Sequence, residues 1–264
     1  MKIILSRKGF DSKNGCRASP CMPDGTLLSM PIPRPEDKIA YADLTYQGIT
    51  FDKLLKQLNP KGSYSNCHLD PDIRVDIRSS APNDWQPAFG QHGTSQGLLR
   101  NQAIGENDLF LFFGWFKQVR QMNDGCFRYV RGSPNIHAIW GYLQVGRVLT
   151  TPEEIKKHVH HPHSDCQTYG EKGNSLYLAR KTLSFDESML GYGSLRFSEN
   201  RVLTMGGATK GVWREIPALM PTNIAGERNN HAKGQGIFYK GIWQELVLRQ
   251  NMETELWAKS ILQS

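Results

Sequence analysis

Two short runs of aromatic and aliphatic residues, at positions 108–116 and 137–145, form the clearest hydrophobic pattern of the chain. Both are β-rich in composition and bounded by polar or Gly- and Pro-containing sequence, which predicts two neighbouring strands of one sheet. His137 and Gln144 place polar groups inside the second run. The pattern fits a buried strand pair that builds a pocket, or an ordinary sheet whose polar side chains face water.

Weaker patterns predict the remaining elements. Apolar residues recur at helical spacing from Phe51 to Leu58, which predicts a short amphipathic helix that ends before Pro60. Residues 61–107 are predicted to be mostly loop. The other predicted elements are a strand at 2–6, an edge strand at 26–33, a helix that begins after Thr151, strands at 175–179, 201–204, 212–213 and 245–248, and a closing helix at 252–262.

The simplest architecture is a single β-rich α+β domain that spans residues 1–264. No internal repeat, low-complexity tract or clear linker divides the chain. Its 264 residues, of which 39% are hydrophobic, suffice for a sizeable core. The expected fold has a central barrel or curved sheet, long functional loops and a C-terminal helix.

Membrane insertion and secretion are not expected. No apolar segment approaches the ~20 residues that span a bilayer, and the apolar part of the N-terminus is too short for a signal-peptide core. The five cysteines form no CxxC pair, which argues against a disulfide framework and against a zinc ribbon. A cytoplasmic protein with reduced thiols is therefore expected.

The chain carries a basic surplus, with a formal net charge of +7 and a pI of about 9.1. Such a surplus favours a polyanionic partner, with nucleic acid first. The basic residues are scattered along the chain, which indicates a folded basic cleft more than a disordered arm. A generally basic, soluble surface is the alternative.

The loop after the first predicted strand carries a candidate phosphate site. Arg7 and Lys8 would neutralise phosphate, Gly9 lets the backbone come close, and Asp11 belongs to the same candidate set. The GxxxxGK[ST] spacing of a Walker A loop is absent. The same residues also fit a tight turn with exposed charges.

A second candidate lies around Asp70 and Asp72, which flank a proline. Two carboxylates this close could hold a divalent metal ion, or divide acid and base work by splitting their pKa values. Arg74 could pair with one of them or with a phosphate. A turn whose Asp side chains cap backbone N–H groups is the alternative.

Two histidine-containing loops offer further polar groups. His92 follows Gln91 on glycine-flanked backbone, where proton-transfer residues are often found, and Gln91 offers both donor and acceptor to a nucleobase edge. Residues 158–166 hold four histidines, an aspartate and a cysteine, which invites a zinc interpretation although no familiar ligand spacing fits. His161 and His163 could instead contact a nucleotide. In both loops, exposed histidines are the alternative.

Aromatic residues of the two hydrophobic runs are candidates for stacking on a base. Trp115 and Trp140 resemble the stacking residues of nucleic-acid pockets, although aromatic residues at strand spacing are more often core. The candidate base contacts are Gln91, Trp115, His137, Trp140 and Gln144.

A set of motifs, each weak alone, runs through the chain. They are ILSRKGFDS at 4–12, HLDPD at 68–72, FGQHG at 89–93, DLFLFFGWF at 108–116, HAIWGYLQV at 137–145, HPH at 161–163 and NSLYL at 174–178. Together they resemble the nucleotide modification associated domain 3 family over close to the whole chain. The resemblance implies a nucleotide or nucleic-acid context, through the genes that accompany family members in bacterial and phage genomes, and it implies no particular reaction. Cys16 stands where a second glycine is expected beside Gly15.

The leading hypothesis is an enzyme that modifies DNA bases or nucleotides, with its site on loops at strand ends. Arg7 and Lys8 would hold phosphate. Asp70 or Asp72 would act as general base or metal ligand, and His92 would transfer a proton or orient the base. The expected partner is nucleic acid, with DNA favoured, or a nucleotide, and the cofactor and metal are left open.

Two other functions stay open. The paired runs resemble the barrel strands of PUA-like modules, including the ASCH and EVE types, which hold a flipped or modified base in an aromatic pocket. A pocket lined by Trp115, Trp140 or Tyr142 without a carboxylate would favour such a non-catalytic reader, whereas carboxylates that converge with His92 would favour the enzyme. An interaction subunit of a modification or phage-defence system would show a broad apolar patch without a deep pocket.

Overall fold

The computed structural model describes residues 1–170, 173–226, 231–233 and 236–263. Strands account for 36% of the chain and helices for 21%, so the fold is α+β and β-rich, as predicted. Among the described residues, no helix is long and apolar enough to cross a membrane. The expectation of one domain over the whole chain stays a prediction.

Short strands separated by loops dominate the order of elements. The helices are α1 Phe51–Leu58, α2 Gly93–Asn101, α3 Pro152–Ile155, α4 Cys166–Tyr169 and α5 Met252–Leu262. The strands are β1 Ile3–Arg7, β2 Ser19–Cys21, β3 Ile32–Pro33, β4 Ile39–Ala40, β5 Thr45–Tyr46, β6 Ile49–Thr50, β7 Asn66–His68, β8 Ala88–His92, β9 Leu109–Gln121, β10 Phe127–Tyr129, β11 Ile136–Leu149, β12 Asn174–Ala179, β13 Thr182–Leu183, β14 Asp186–Leu190, β15 Tyr192–Ser194, β16 Val212–Trp213, β17 His231–Lys233, β18 Gly236–Phe238 and β19 Glu245–Val247.

The largest sheet runs through β19, β1, β9, β11, β12 and β8 in that order, and β2, β10 and β15 also pair with its strands. β1 lies parallel to β9, whereas β9 and β11 pair antiparallel along most of their length. The sheet curls into a half-barrel. The two hydrophobic runs are therefore neighbouring central strands of one curved sheet, which confirms that prediction.

Alternate residues of β9 face two different cores. Leu109, Leu111 and Phe113 belong to one apolar cluster, whereas Phe110 and Phe112 belong to a second cluster on the opposite face. All five side chains are fully buried. Burial on both faces explains why β9 is a continuous hydrophobic run rather than an alternating one.

Helix α5 covers the first of these clusters through Ile261 and Leu262. Its N-cap, Asn251, accepts a hydrogen bond from the backbone N–H of Thr254, and the hydroxyl of Thr254 accepts one in return. The closing helix predicted from the sequence is confirmed, as is α1, whose apolar side buries Phe51 and Leu58.

Residues 61–107 hold more regular structure than the sequence predicts. β7, β8 and α2 lie in this segment, and β8 pairs with β12 inside the main sheet. The glycines here favoured a loop, but Gly90 is a strand residue against which the ring of His163 packs. A Cβ atom at Gly90 would lie 2.3 Å from Cδ2 of His163. Gly90 is needed for the close approach of the His163 ring, and this tertiary contact outweighs its preference for loops.

One predicted strand is wrong. At residues 201–204 the chain forms a 3-10 turn, Glu199–Arg201, and Val202 and Thr204 make only isolated β-bridges. Of the edge strand predicted at 26–33, only β3 is a strand. In both segments most of the pairing is limited to isolated bridges, such as that of Val202 with Ala138 of β11, so no continuous ladder forms over the predicted length.

Candidate functional site

A cavity of about 260 Å³, which we call the polar cavity, lies beside the ends of β1, β7 and β8. Its walls are mostly charged or polar. Residues that are far apart in the sequence meet here, because β1, β7 and β8 each end in a loop or helix that borders the space. The predicted site residues that line it are Arg7, Lys8, Asp11, Asp70, Gln91, His92 and His163.

Asp70 is a buried carboxylate in the wall of the polar cavity. Its Oδ1 accepts a hydrogen bond from the backbone N–H of Gly90 at 2.6 Å, and its Oδ2 lies 3.1 Å from Nζ of Lys8. Nε2 of His161 lies 3.4 Å from Oδ1. Burial alone would raise the pKa of Asp70, but Lys8 and His161 lower it well below its usual range. The carboxylate therefore stays ionised at neutral pH.

The ammonium group of Lys8 is enclosed with Asp70. It lies 4.2 Å from the ring centroid of Phe89, and the residue is 7% exposed. Its positive charge is thus compensated within the protein. The predicted role of Lys8 in phosphate binding stays a prediction.

Two partly exposed arginines border the polar cavity. Nη2 of Arg7 lies 3.6 Å from a carboxylate oxygen of Asp11. Arg34 lies over the ring of Tyr169, and its Nε is 3.5 Å from Asp37. A guanidinium group has five N–H donors arranged to bind phosphate in two places, more than these contacts use. The two arginines can therefore bind an anion that enters the cavity.

His163 is fixed by an amide. Its Nδ1 lies 2.7 Å from Oδ1 of Asn174, and Nδ2 of the same amide donates to the backbone carbonyl of His163. This second bond orients the amide, so Nδ1 is assigned the proton and donates it. Burial lowers the pKa of His163 well below its usual value, opposed by Asp70 and assisted by His161. The ring is neutral, with its lone pair on Nε2.

His68 is held by a carboxylate and a phenol. Its Nδ1 lies 2.7 Å from Oδ2 of Asp37 and 2.8 Å from the hydroxyl oxygen of Tyr169. That hydroxyl also donates to Asp37 at 2.9 Å. A carboxylate that accepts from Nδ1 fixes the tautomer and the ring orientation. Nε2 of His68 then lies 4.0 Å from Oδ2 of Asp70.

His92 ends β8 and is the N-cap residue of α2. Its ring lies beside the rings of His163 and Tyr169, with centroids 5.7 Å and 5.3 Å apart. Partial desolvation, followed by the charge of Arg34, lowers the pKa of His92. A neutral ring at the cavity wall can accept a proton from a bound molecule.

Gln91 connects the polar cavity to a buried carboxyl group, that of Glu245 on β19. Its Nε2 donates to Oε1 of Glu245 at 2.6 Å, and its Oε1 accepts from the backbone N–H of His92. Burial raises the pKa of Glu245, which Lys8 partly offsets. Both ends of the Gln91 amide are engaged within the protein, so its contact with a base stays a prediction.

Asp72 and Arg74 lie outside the polar cavity. The fully buried carboxylate of Asp72 lies 2.5 Å from Nη2 of Arg78 and accepts a hydrogen bond from Nε1 of Trp85 at 3.0 Å. Arg74 pairs with Asp76 at 2.5 Å. The two neighbouring carboxylates of the Asp-Pro-Asp sequence thus have separate partners, and the functional roles of Asp72 and Arg74 stay predictions.

The candidate base contacts on the central strands are dispersed. Trp115 is partly exposed, whereas Trp140 is buried beside a space of about 20 Å³ that holds about one water molecule. Gln144 is fully buried and hydrogen-bonded to Ser184. None of these three side chains lines the polar cavity.

His137 lies in the aromatic core instead of a cavity. Its Nδ1 accepts a hydrogen bond from Nε1 of Trp213 at 3.0 Å, and Phe113 and Tyr239 pack against its ring. Burial, then the charges of Arg7 and Lys210, lowers its pKa to about 3. The ring of His137 is therefore neutral in the folded protein at neutral pH.

The stability of the fold is expected to fall in acid because of His137. The unfolded histidine binds a proton below its ordinary pKa of about 6.5, whereas the folded one does so only below about 3, so protons favour unfolding between these values. This single group should remove about 1.4 kcal/mol per pH unit, or about 3 kcal/mol from pH 6.5 to 4. Denaturant unfolding at several pH values measures the slope.

His137→Gln is the variant that isolates this effect, since Gln can still accept from Trp213 and does not titrate. Its unfolding free energy should depend on pH less steeply than that of the wild type by about 1.4 kcal/mol per unit. Equal slopes for the two proteins between pH 6 and 4 would show that His137 is not the group responsible.

Several residues that line or support the polar cavity were not predicted from the sequence. His68 had a signal, since it lies two positions before Asp70 in the same motif. Asp37 and Tyr169 act on His68 from 31 and 101 positions away, and no local pattern marks them. The residues that were missed are Arg34, Asp37, His68, Tyr169, Asn174 and Glu245.

Three buried residues of the cavity could hold a metal ion. His68, Asp70 and His163 each offer one ligand atom, and these atoms lie within 4.8 Å of one another. Imidazole nitrogens and a carboxylate oxygen form a common donor set for divalent transition metals.

A family model described as nucleotide modification associated domain 3 matches residues 2–252, nearly the whole chain. No curated protein and no solved structure matches. The resemblance inferred from the motifs is confirmed.

Proposed function

The chain belongs to the nucleotide modification associated domain 3 family, and we propose that it is an enzyme that modifies a nucleotide or a DNA base in the polar cavity. The observation that carries the proposal is the convergence of Asp70 and His92 with Arg7 and Lys8 in one cavity. A carboxylate and a histidine that meet in a cleft favour catalysis over passive binding.

Binding would begin with the phosphate group of the substrate. Arg7 and Arg34 are the cations that remain partly exposed at the cavity, and their guanidinium groups suit two-point binding of phosphate oxygens. The net charge of +7 would raise the rate at which a polyanion approaches. The favoured substrate is therefore a phosphate-bearing molecule rather than a free base.

The size of the cavity favours one nucleotide unit. Its volume of about 260 Å³ lies just below the roughly 300–1,000 Å³ of sites for drug-sized ligands. Enzymes that act on DNA bases extrude a single nucleotide from the duplex into such a pocket. A free nucleotide and one extruded from a DNA strand both fit this description.

The chemistry would divide between a fixed charge and a proton carrier. Asp70, held between Lys8 and His161, supplies a negative charge that does not depend on the substrate. His92, at the cavity wall, can take a proton from the group that reacts or return one to it. This pairing suits reactions that develop positive charge or release a proton at the base.

A non-catalytic reader of a modified base has less support. Trp115 is partly exposed, and Trp140 borders a space that holds about one water molecule. Neither lines the polar cavity with Asp70. The interaction-subunit alternative and the link to phage defence stay hypotheses.

Binding of a nucleoside monophosphate by the purified protein tests the substrate class. Arg7→Gln and Arg34→Gln are each expected to weaken binding about 10- to 150-fold, because each removes a charge-assisted contact with phosphate worth about 1.5–3 kcal/mol. The nucleoside without phosphate should bind more weakly than the nucleotide. Isothermal titration calorimetry at fixed ionic strength measures all of these affinities.

Arg147→Gln is the matched control for this experiment. Arg147 also pairs with a carboxylate, that of Glu154, but it lies outside the polar cavity. Its substitution should leave the affinity unchanged. If the nucleoside bound as tightly as the nucleotide, or if Arg7→Gln and Arg34→Gln bound the nucleotide like the wild type, the proposal that this cavity recognises phosphate would be wrong.

A further inference from the structure

Two imidazole rings and a carboxylate direct electron pairs into one region of the polar cavity. His68, Asp70 and His163 all line this space and are all buried. Their ligand atoms lie within 4.8 Å of one another. Groups that carry lone pairs or negative charge are stable at such a distance when a cation lies among them.

The hydrogen bonds of the two rings fix which nitrogen is available. Nδ1 of His163 donates to the amide oxygen of Asn174, and Nδ1 of His68 donates to Asp37. In the neutral form of each ring the lone pair is then on Nε2. Metal-binding histidines in proteins are oriented in the same way, by a carboxylate or carbonyl that accepts from the other ring nitrogen.

We propose that His68, Asp70 and His163 bind a divalent transition metal ion through Nε2 of both rings and a carboxylate oxygen. Atoms that lie within 4.8 Å of one another enclose a point at most about 2.8 Å from each. Bonds of Zn²⁺ to nitrogen and oxygen are about 2.0–2.2 Å, so the three groups would close by less than about 1 Å. The substrate side of the ion remains open, because all three ligands face the cavity.

The donor set selects the class of metal. Mg²⁺ and Ca²⁺ prefer sites made of oxygen atoms, whereas Zn²⁺, Fe²⁺ and Mn²⁺ accept two imidazoles and a carboxylate. Three protein ligands with an open position are the usual arrangement of a catalytic rather than a structural ion. The site is therefore expected to prefer Zn²⁺ or a similar ion over Mg²⁺.

Lys8 competes with the ion for Asp70. Its Nζ lies 3.1 Å from Oδ2, the same oxygen that faces His68. A divalent ion at this oxygen would repel the ammonium, and Lys8 already contacts the face of the Phe89 ring, which can retain it nearby. Replacing Lys8 by an uncharged residue of similar length should therefore tighten metal binding.

The role of the ion rests on the proposed function, but its binding does not. Placed in the polar cavity, a metal ion would polarise a phosphate or base oxygen, or lower the pKa of a bound water molecule. Metal binding and nucleotide binding can be measured separately on the same protein, so failure of one is distinguishable from failure of the other.

The test is a titration of tag-free, chelator-stripped protein with Zn²⁺ in competition with a chromophoric chelator. One ion per chain should bind, and Mg²⁺ should not displace it at equal concentration. His163→Gln should weaken binding at least 100-fold, and Lys8→Met should tighten it at least tenfold. His158→Gln replaces a histidine of the same loop outside the cavity and should bind like the wild type.

Folding of each variant is checked by cooperative thermal unfolding, and Lys8→Met tests the site even if His163→Gln does not fold. If the folded wild type retained no ion, or if Lys8→Met failed to tighten binding, the assignment would be overturned. Metal-free protein that binds a nucleoside monophosphate while no ion binds at His68, Asp70 and His163 would remove the metal site and leave the proposed substrate class. A bound ion without nucleotide binding would leave the metal site and remove the proposed substrate class.

Discussion

Asp70→Asn is expected to abolish the modifying activity, with the amount of altered nucleoside at least about 100-fold below the wild-type level. Asn has the shape of Asp and can still accept the hydrogen bond from Gly90, but it carries no charge. It binds a metal cation more weakly than a carboxylate does, and it cannot compensate the ammonium of Lys8. Mass spectrometry of nucleosides, from cells with equal amounts of soluble protein, measures the loss.

The double variant Lys8→Met, Asp70→Asn separates this loss from a failure to fold. Asp70→Asn alone leaves a buried ammonium without its partner, which costs stability, whereas the double variant restores charge balance. Its unfolding free energy should recover toward the wild-type value while the activity stays absent. Activity in the double variant would show that the charge of Asp70 has no part in the reaction.

Asp72→Ala is expected to lower the free energy of unfolding by about 3–5 kcal/mol, which is the usual cost of removing one partner from a buried ion pair. The substitution leaves Arg78 without its carboxylate and Nε1 of Trp85 without its acceptor, and the side chain of Asp72 is fully buried. Denaturant unfolding at neutral pH measures the change. The fraction that remains folded should keep its activity, because Asp72 lies outside the polar cavity.

Asp76→Ala is the matched control for Asp72. Asp76 also pairs with an arginine of the same segment, Arg74, but its side chain is 64% exposed. Loss of an exposed pair should cost less than about 1 kcal/mol. A similar loss of stability for both substitutions would contradict a special contribution of the buried Asp72 pair to stability. Loss of activity with intact stability for Asp72→Ala would contradict a purely structural role of Asp72.

The central strands could be predicted because their signal is local. β9 and β11 are long and apolar, and α5 ends the chain with its own cap and apolar side, so each pattern is complete within its own segment. β8 could not be recognised because Gly90 and the adjacent Gly93 indicate a loop. Gly90 is required by the ring of His163, which lies 73 positions further along the chain.

The site was predictable only in part, because local patterns are visible in the sequence whereas long-range contacts are not. Arg7, Asp70 and His92 stand out because charged residues at predicted strand ends suggest a site before any fold is known. The sequence gives no sign that Asp37 orients His68, or that Asp72 turns away from Asp70 to Arg78. Those contacts depend on how the loops pack, which pattern and spacing do not encode.

The nucleosides of cells that make this protein show whether it is an enzyme. Total DNA and the soluble nucleotide pool are digested to nucleosides and compared by mass spectrometry among cells with the wild-type protein, cells with Asp70→Asn and cells without the gene. We predict a nucleoside that appears, or is depleted, only with the wild-type protein. Identical profiles in all three, together with tight binding of the purified protein to modified DNA, would contradict catalysis and identify a reader.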